Sequence, residues 1–562
     1  MRVMSVSTGA AERSAGSDRA MTGSIESFST IMTVRAREAR DRRPAIAIIT
    51  DPEVVSRHLE DAAHFPGGHA QAVARPSTEG EVAALVSGSP LVLPIGAQSS
   101  LTGGATPHGG FILSTERLNH IGILDDGRVH VGAGVPLSIL QEALARAHRW
   151  YPPVPTFAGA FVGGVIATNA AGAATFKYGP TRPWVQSLTV VLACGCVLDL
   201  VRGAAITTRA HGWSITCAHG DRQITPPSYQ MPHVAKCSAG YFAADPMDLI
   251  DLFIGSEGTL GVITEATLRT LPEPPAFAMA MVTTTSEEAA LALTRELRAD
   301  AQSTWATKEP NGLDISAIEH MDRRCIEIIR EDEADRRSEV LLPADAEVVL
   351  FVHLELPAGS SAESLYDEVS AALGPMAPDT PMTRFCRVLD RHGVLDRTEL
   401  AMPGDKGRLD QLLALREAAP TGVNRRVGIA KRDIDARIEK TAADMIVPFE
   451  SLEEMMKIYR DGYRSRGLDF AIWGHISDGN LHPNVLPRAF ADVADGKDAI
   501  LEFGREAARL GGCPLAEHGV GRNPIKQRLL EEMYGPAGIA EMREIRKAFD
   551  PGGVLAPGVL FT

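Results

Sequence analysis

The sequence predicts a two-lobed α+β protein, and two features lead to that prediction. In the first half, apolar strands open into three loops rich in glycine and other small residues, within residues 90–107, 155–179 and 248–275. After the segment Pro-Glu-Pro-Pro at 272–275, strands alternate with helices, as in AFAMAMVTTTSEEAALALTRELRAD. This second half is expected to form an antiparallel sheet covered by helices.

The elements of the first lobe follow from local patterns of apolar and turn residues. They are a strand and helix in PAIAIITDPEVVSRHL, a strand and capped short helix in QAVARPSTEGEVAALVSGS, a buried strand in PLVLPIG, two strands around an Asp-Asp-Gly turn followed by a helix from about Pro136, and a hairpin in VQSLTVVLACGCVLDLVRG with Cys194-Gly195 near its turn. Residues 203–240 resemble an irregular insertion. The predicted boundaries are 1–45, a disordered tail, then 46–275, 276–500 and 501–562.

Composition excludes several classes of protein. The 562 residues are 44% hydrophobic, with no apolar run long enough to cross a bilayer. The formal net charge of −15 argues against a nucleic-acid surface. The seven cysteines are scattered and form no Cys-x-x-Cys pair, which argues against a zinc ribbon or an iron–sulfur cluster. They fit a reducing compartment, and we expect a cytoplasmic location.

The stretch WGHISDGNLHPNVLP, residues 473–487, predicts a hairpin with a two-residue turn at Asp478-Gly479. Such a turn would place His475 directly opposite His482, with Asn484 on the same face. Two imidazoles and an amide in that position would hold a metal or bind a polar substrate. They are equally compatible with an ordinary hairpin.

The three glycine-rich loops are ambiguous one at a time, because each glycine fits a simple tight turn. The first is not a Walker loop, and no GxGxxG opens a helix after a strand, so a nicotinamide-type site lacks support. Together the loops suggest a long phosphate-bearing ligand held by backbone N–H groups.

These motifs resemble a known family. PIGAQSSLTGGATP, GGVIATNAAG and GSEGTLGVIT resemble the PCMH-type FAD-binding domain of the vanillyl-alcohol oxidase superfamily. LLALREA, DMIVPFESL, GHISDGNLHP, AEHGVG and FDPGGVLAPG resemble the FAD-linked oxidase C-terminal domain, which occurs in D-lactate dehydrogenases, D-2-hydroxyglutarate dehydrogenases and the large subunit of glycolate oxidase. The resemblance covers roughly residues 46–562. It implies an FAD-binding domain over 46–275, a substrate or cap domain over 276–500, and a last segment that returns to the flavin.

The resemblance also assigns residues. The flavin would lie against Pro94, Gly96, Ala97, Gln98, Ser99, Ser100, Leu101, Thr102, Gly103, Gly104, Gly163, Gly164, Thr168, Asn169, Glu257, Gly258, Gly261 and Ile263. The implied metal ligands are His475, His482 and Glu517, for Zn or Mn. His518 would be the base, Arg416 would bind the substrate carboxylate, and Asn484 would lie beside the substrate. Lys440 is a further candidate. No histidine occupies the position where relatives attach FAD, so the FAD is expected to be non-covalent.

The implied activity is oxidation of a D-2-hydroxy acid, such as D-lactate, glycolate or D-2-hydroxyglutarate, to the 2-oxo acid. The chemistry agrees, since a guanidinium anchors the carboxylate, a metal acidifies the hydroxyl and a histidine takes its proton. Hydride would pass to flavin N5, and the electrons to a quinone, a cytochrome or an electron-transfer flavoprotein rather than NAD.

Two other functions stay open. The chain would also fit a flavin-carrying subunit of a glycolate oxidase-type complex, or a non-redox flavoenzyme of the ether-lipid synthase type. Peripheral membrane association and a homodimer are both compatible with the sequence, whereas a nucleic-acid partner is not expected. Two departures from the family pattern are KCSAGYFAA (236–244), in place of KNxxGYDL, and Ala556 to Val559, in place of NPGK.

Overall fold

The computed structural model describes residues 31–40, 46–124, 126–153 and 155–561. It has two lobes, and the three glycine-rich loops belong to the first. Across these ranges, no helix combines the length and the apolar character that crossing a bilayer requires.

The first lobe consists mostly of short strands. They are β1 (Met32–Arg35), β2 (Ile48–Ile49), β3 (Ala72–Ala74), β4 (Val92–Ile95), β5 (Phe111–Ser114), β6 (Ile121–Ile123), β7 (Arg128–Gly132), β8 (Arg149–Trp150), β9 (Val185–Val191), β10 (Val197–Val201), β11 (Ile206–Thr207), β12 (Trp213–Cys217), β13 (Gly220–Ile224), β14 (Met247–Asp248), β15 (Val262–Arg269) and β16 (Leu271–Pro272). The helices are α1 (Pro52–Ser56), α2 (Glu79–Gly88), α3 (Leu137–Arg146), α4 (Val162–Ala167), α5 (Thr175–Tyr178) and α6 (Ile250–Phe253).

Two sheets organise this lobe. One has the order β2-β3-β5-β4, in which β3 and β4 both run parallel to β5. The other has the order β10-β9-β15-β7-β6 and is antiparallel throughout. The chain's last residues return to this lobe: Val92 N–H donates to Val554 O at 2.8 Å, and Ala556 N–H donates to Val92 O at 2.9 Å. The C-terminus therefore lies against β4, which leads into the first glycine-rich loop.

The second lobe contains longer elements. Its strands are β17 (Ala276–Thr284), β18 (Asp314–Met321), β19 (Val348–Leu356), β20 (Thr398–Ala401), β21 (Thr441–Ala442), β22 (Met445–Ile446), β23 (Phe470–His475) and β24 (Asn480–Val485). Its helices are α7 (Glu287–Thr307), α8 (Arg323–Glu331), α9 (Ala334–Arg337), α10 (Ala362–Ala371), α11 (Pro381–Arg391), α12 (Lys406–Asp433), α13 (Leu452–Ser465), α14 (Phe490–Arg509) and α15 (Pro524–Phe549).

An eight-stranded antiparallel sheet forms the centre of this lobe, in the order β20-β17-β19-β18-β23-β24-β21, with β22 paired to β24. Its central strand β19 reads VVLFVHLEL and is buried on both faces, as expected when helices cover both sides of a sheet. The predicted α+β fold is confirmed. We propose that the domain boundary lies at Pro-Glu-Pro-Pro, because β17 begins directly after it.

Part of the predicted N-terminal tail is an ordered strand. Residues 1–30 and 41–45 lie outside the described residues. Within the predicted tail, however, β1 pairs in parallel with β12 from Met32 opposite Trp213 to Arg35 opposite Thr216. The prediction of a disordered tail is wrong for this strand, because its pairing partner lies far along the chain and local composition does not reveal it.

The insertion at 203–240 is also more regular than predicted. It contains β12 and β13, a hairpin that forms a three-stranded sheet with β1. The residues beyond the hairpin run into the interior, where Lys236 and Tyr241 are fully buried. The insertion is therefore an integral part of the fold.

Candidate active site

The three glycine-rich loops surround a cavity of about 550 Å³ in the first lobe. Most of the residues expected to contact FAD line it: Pro94, Gly96, Ala97, Gln98, Ser99, Ser100, Leu101, Gly104, Gly163, Gly164, Thr168, Glu257, Gly258, Gly261 and Ile263. Glu517 and His518 line it as well. The structure therefore brings the loops and the AEHGVG motif to one place.

Thr102, Gly103 and Asn169 do not line the cavity. They hold the loops from behind, since Thr102 O accepts a hydrogen bond from Arg522 N–H at 2.9 Å. Asn169 Oδ1 accepts another from Arg182 N–H, also at 2.9 Å. A supporting role for these residues explains why they belong to the same motifs without direct access to a ligand.

Part of the cavity wall is formed by glycine backbone, which leaves room for a ligand to lie against it. At Gly164 in α4, an added Cβ would meet no protein atom within 4 Å, so it would project into the open cavity. At Gly261, by contrast, a Cβ would lie 2.4 Å from Val190 Cγ1, so that glycine is needed for packing. The cavity thus fits a flavin dinucleotide, whose phosphates favour exposed N–H groups.

Glu257 joins the third loop to the segment that follows His518. Its carboxylate accepts hydrogen bonds from Val520 N–H at 2.8 Å and Gly521 N–H at 2.9 Å. Its backbone has φ of +50°, a left-handed conformation that costs a non-glycine residue energy. Burial raises the pKa of Glu257 to about 7.

The predicted register of the histidine hairpin is wrong. His475 pairs with Asn480, and His482 pairs with Trp473, so the two histidines are diagonal neighbours rather than directly opposed. The connection spans Ile476 to Gly479 and begins with a 3-10 turn. This longer turn is held by a neighbouring strand, since Ser477 Oγ accepts a hydrogen bond from Ile318 N–H at 3.0 Å. A slip of two positions preserves the face of the strand. The ring centroids of His475 and His482 are consequently 5.8 Å apart.

Three histidines converge on one carboxylate oxygen. Glu517 Oε1 lies 3.7 Å from His475 Nε2, 3.3 Å from His482 Nε2 and 3.4 Å from His518 Nε2. His475, His482 and Glu517 are the predicted metal ligands. The two histidines are buried, and Glu517 is partly buried, with 9% of its side chain exposed. His518 is partly exposed and stacks on His482 with ring centroids 5.2 Å apart.

Each of these histidines has a buried carboxylate on its other nitrogen. His475 Nδ1 lies 3.7 Å from Glu319 Oε2, and His482 Nδ1 lies 3.6 Å from Asp444 Oδ1. His518 Nδ1 is 3.2 Å from Asp444 Oδ2. Carboxylates on the outer nitrogen orient metal-binding histidines with Nε2 toward the ion. Two imidazoles and one carboxylate are donor types that suit Zn²⁺ or Mn²⁺. The donor atoms that lie within 4.8 Å of one another, however, belong to Asp444, His482, Glu517 and His518, and this group does not include His475.

Asp444 is a site residue that the sequence reading missed. One of its oxygens accepts hydrogen bonds from Glu517 N–H at 3.0 Å and His518 N–H at 2.8 Å, and the other accepts from the Asn480 amide at 3.2 Å. Burial raises the pKa of Asp444, but the nearby cationic groups, led by His518, outweigh it and hold the pKa well below its usual value. Asp444 also approaches His482, Glu517 and His518 within 4.8 Å, yet its bonds to backbone make it a support for them.

Lys236 is the second missed residue, although it lies in a motif already noted for departing from the family. Its fully buried Nζ is 3.1 Å from Asp478 Oδ2, 3.1 Å from Glu517 Oε2 and 3.2 Å from Asn480 Oδ1. Burial lowers the pKa of Lys236, but the two carboxylates outweigh it and raise the pKa above its ordinary value. Lys440, the lysine named as a candidate from the sequence, is classed as exposed, and its role stays a prediction.

Arg416 and Asn484 are held in the structure by protein partners. The Arg416 guanidinium donates to Glu319 Oε2 from Nε at 2.8 Å and from Nη2 at 2.5 Å, and Nη1 donates to Glu417. Arg416 thereby supports the carboxylate next to His475. Asn484 Nδ2 donates to His482 O at 2.7 Å, while its buried Oδ1 has no hydrogen-bond partner among the described residues. The predicted roles of both residues toward substrate stay predictions.

Two family models match this chain. The model described as FAD linked oxidases, C-terminal domain, matches residues 274–560, and the model described as FAD binding domain matches residues 70–200. The first covers more than half of the sequence. The chain belongs to the FAD-linked oxidases. As a member of this family, it is an FAD-dependent oxidoreductase.

Named relatives align over most of this FAD-linked oxidase. A D-2-hydroxyglutarate dehydrogenase from Xanthomonas citri pv. viticola is 30% identical, with 92% of this chain and 95% of the relative covered. A D-lactate dehydrogenase from Archaeoglobus fulgidus is 28% identical (86% and 90% covered). The glycolate oxidase subunit GlcD of Bacillus subtilis is also 28% identical (84% and 83% covered).

A solved structure shares the fold. Alkyldihydroxyacetonephosphate synthase superposes on the FAD-linked oxidase with a TM-score of 0.57, covering 91% of this chain and 83% of the other. The sequences are 14% identical, so the likeness concerns the fold alone.

Proposed function

We propose that this FAD-linked oxidase dehydrogenates a D-2-hydroxy acid to the corresponding 2-oxo acid. The observation that carries the proposal is the position of Glu517 and His518, which belong to the histidine and carboxylate cluster and also line the glycine-loop cavity. A ligand that reaches past the flavin would meet this polar cluster directly. The names of the aligned relatives support a hydroxy acid as that ligand.

His518 is suited to take the hydroxyl proton. Asp444 lies against its Nδ1 at 3.2 Å and so favours the tautomer that carries the proton on that nitrogen. The lone pair of Nε2 is then left to accept a proton from a molecule in the cavity, which His518 lines. The stacking of His518 on His482 limits the rotation of the base.

The other groups would hold the substrate and its environment. FAD, bound against the three loops, would supply the acceptor for the hydride that leaves the substrate carbon. A divalent ion held by His475, His482 and Glu517 would supply Lewis acidity at the substrate hydroxyl. We propose that Asn484, whose Oδ1 has no hydrogen-bond partner within the described ranges, and Arg416 bind the substrate's polar groups.

A panel of hydroxy acids tests the proposal. D-lactate, D-2-hydroxyglutarate and glycolate are added anaerobically to the FAD-bound protein, with L-lactate as the matched control. We expect one of the D-acids or glycolate to bleach the oxidised flavin absorbance while L-lactate does not. A flavin that every one of these acids leaves oxidised, although dithionite reduces it, would refute the proposal.

Two variants separate the roles within the cluster. His518→Ala should retain FAD and metal yet slow flavin reduction by roughly 10²–10⁴-fold, the usual cost of a lost general base. His482→Ala should retain FAD but lose the metal together with most turnover. Undiminished hydroxy-acid oxidation by metal-free protein would exclude the metal role while leaving His518 as the base.

The relative named as a glycolate oxidase subunit favours one alternative, in which the chain carries the flavin inside a larger complex. Reduction of an artificial dye by the lone chain would argue against dependence on partner subunits. The other alternative, a non-redox flavoenzyme of the ether-lipid synthase type, would be excluded if a hydroxy acid bleached the flavin. A quinone, cytochrome or flavoprotein acceptor, the cytoplasmic location and a homodimer stay predictions.

A further inference from the structure

Two hairpin tips in the FAD-binding lobe bring together sulfur and nitrogen atoms far from the active site. The β9–β10 connection carries Cys194 and Cys196 on either side of Gly195, whose φ is +80°. The β12–β13 turn carries Cys217 and His219 and closes with Cys217 paired to Gly220. The pattern is Cys-x-Cys on one tip and Cys-x-His on the other.

The four potential ligands lie close enough together to surround one metal ion. Cys196 Sγ lies 3.4 Å from His219 Nδ1, and all four donor atoms lie within 4.8 Å of one another. Tetrahedral Zn²⁺ with Zn–S of about 2.3 Å and Zn–N of about 2.0–2.1 Å would separate its donor atoms by about 3.5–3.8 Å. A small rotation of side chains at the hairpin tips therefore suffices to close the site around an ion.

The surroundings favour thiolates once a cation is present. His219 N–H donates to Cys217 Sγ at 3.4 Å, which would stabilise a thiolate there. Arg222, on β13, offers a positive charge next to Cys194, and its buried Nη1 has no hydrogen-bond partner in the part of the chain that the structure describes.

We propose that Cys194, Cys196, Cys217 and His219 bind one structural Zn²⁺. Three thiolates and one imidazole complete a closed coordination shell, which is typical of structural rather than catalytic zinc. The sequence argument against a zinc ribbon or an iron–sulfur cluster rested on Cys-x-x-Cys pairs and groups of four cysteines, so it did not address three cysteines and one histidine on two separate hairpins. A disulfide is the competing state, but it would leave unexplained why His219 Nδ1 faces Cys196.

The ion would tie the inserted hairpin to the rest of the lobe. β10 is the edge strand of the five-stranded sheet, whereas β12 and β13 belong to the separate sheet with β1. Besides the three cysteines and His219, an isolated β-bridge between Arg37 and Val197 connects β10 to the segment that follows β1. Zinc would fix the hairpin from which the chain continues to Lys236, and so would stabilise the path that brings this lysine to the active site.

Metal analysis of the full-length protein tests the proposal. All measurements use the His482→Ala variant, because this substitution should remove the candidate active-site ion and leave only the proposed structural zinc. We expect about one zinc per chain in His482→Ala after dialysis against EDTA, and close to none when Cys217→Ser and His219→Ala are added. Cys386→Ala, which changes a buried cysteine outside the cluster, should keep the zinc. Equal zinc content in all three proteins would overturn the proposal.

A second measurement does not require variants to fold. X-ray absorption at the zinc edge of the wild-type protein should include sulfur neighbours at about 2.3 Å, which the nitrogen and oxygen donors of the active site do not provide. An organomercurial, which forms a mercury–sulfur bond with a thiolate, should release this zinc in step with mercaptide formation. A zinc spectrum without sulfur neighbours would refute the proposal. A disulfide among these cysteines, found by mass spectrometry in anaerobically purified protein, would also refute it.

Discussion

Replacing Lys236 with methionine would remove the buried cation between Asp478 and Glu517. Each carboxylate lies 3.1 Å from Nζ, and the lysine side chain has no exposed surface. At an effective dielectric constant of about 20, Coulomb's law gives about 5 kcal/mol for each contact. Most of this is offset by the cost of removing the charges from water, so the net loss in the free energy of unfolding should be about 3–5 kcal/mol.

Urea unfolding of the FAD-bound protein, followed by tryptophan fluorescence and flavin release, measures this loss. Lys457→Met is the matched control, because Lys457 is 73% exposed and pairs with Asp461 one helical turn away. That exposed pair should contribute less than about 1 kcal/mol. Adding Asp478→Asn to Lys236→Met should recover part of the loss, since it removes one of the two stranded carboxylates. Equal stability of the Lys236→Met and Lys457→Met variants would refute the reasoning.

Three further predictions concern the cavity and its supports. Gly164→Leu should weaken FAD binding at least 100-fold, about 2.7 kcal/mol, because the leucine side chain would enter open cavity space. Gly428→Leu on α12, the control, should leave FAD binding unchanged. The flavin absorbance of the purified proteins distinguishes the two outcomes. Since burial raises the pKa of Glu257 from 4.5 to about 7, the folded protein binds more protons than the unfolded chain between these values. Raising the pH from 5 to 7.5 should therefore lower the free energy of unfolding by about 2.4 kcal/mol relative to Glu257→Gln. An equal change in the urea stability of the two proteins between these pH values would contradict the prediction. Glu417→Gln removes the carboxylate that pairs with Nη1 of Arg416, so this nitrogen becomes available to the substrate carboxylate. We expect a lower KM for the hydroxy acid with an unchanged kcat. An unchanged KM would mean that Arg416 supports Glu319 and does not bind the substrate.

The sequence alone determined the features that depend on neighbouring residues. The glycine-rich loops, the α+β class and the existence of the 470–485 hairpin all follow from local turn chemistry and apolar patterning. These signals also carried the family resemblance, since each motif spans about ten residues. His475, His482, Glu517 and His518 were found together because their motifs are recognisable one by one.

Only the tertiary structure decided which distant side chains complete the site. Lys236 and Glu517 are 281 residues apart in sequence, and Asp444 and Glu517 are 73 apart. The hairpin register depended on a hydrogen bond from β18 to Ser477 that no local pattern reveals. The proposed zinc site likewise depends on tertiary structure, because its cysteines and histidine lie on two short hairpin tips that no local sequence pattern connects. Side chains this far apart become neighbours through the packing of sheets and loops, a property of the whole chain rather than of any segment.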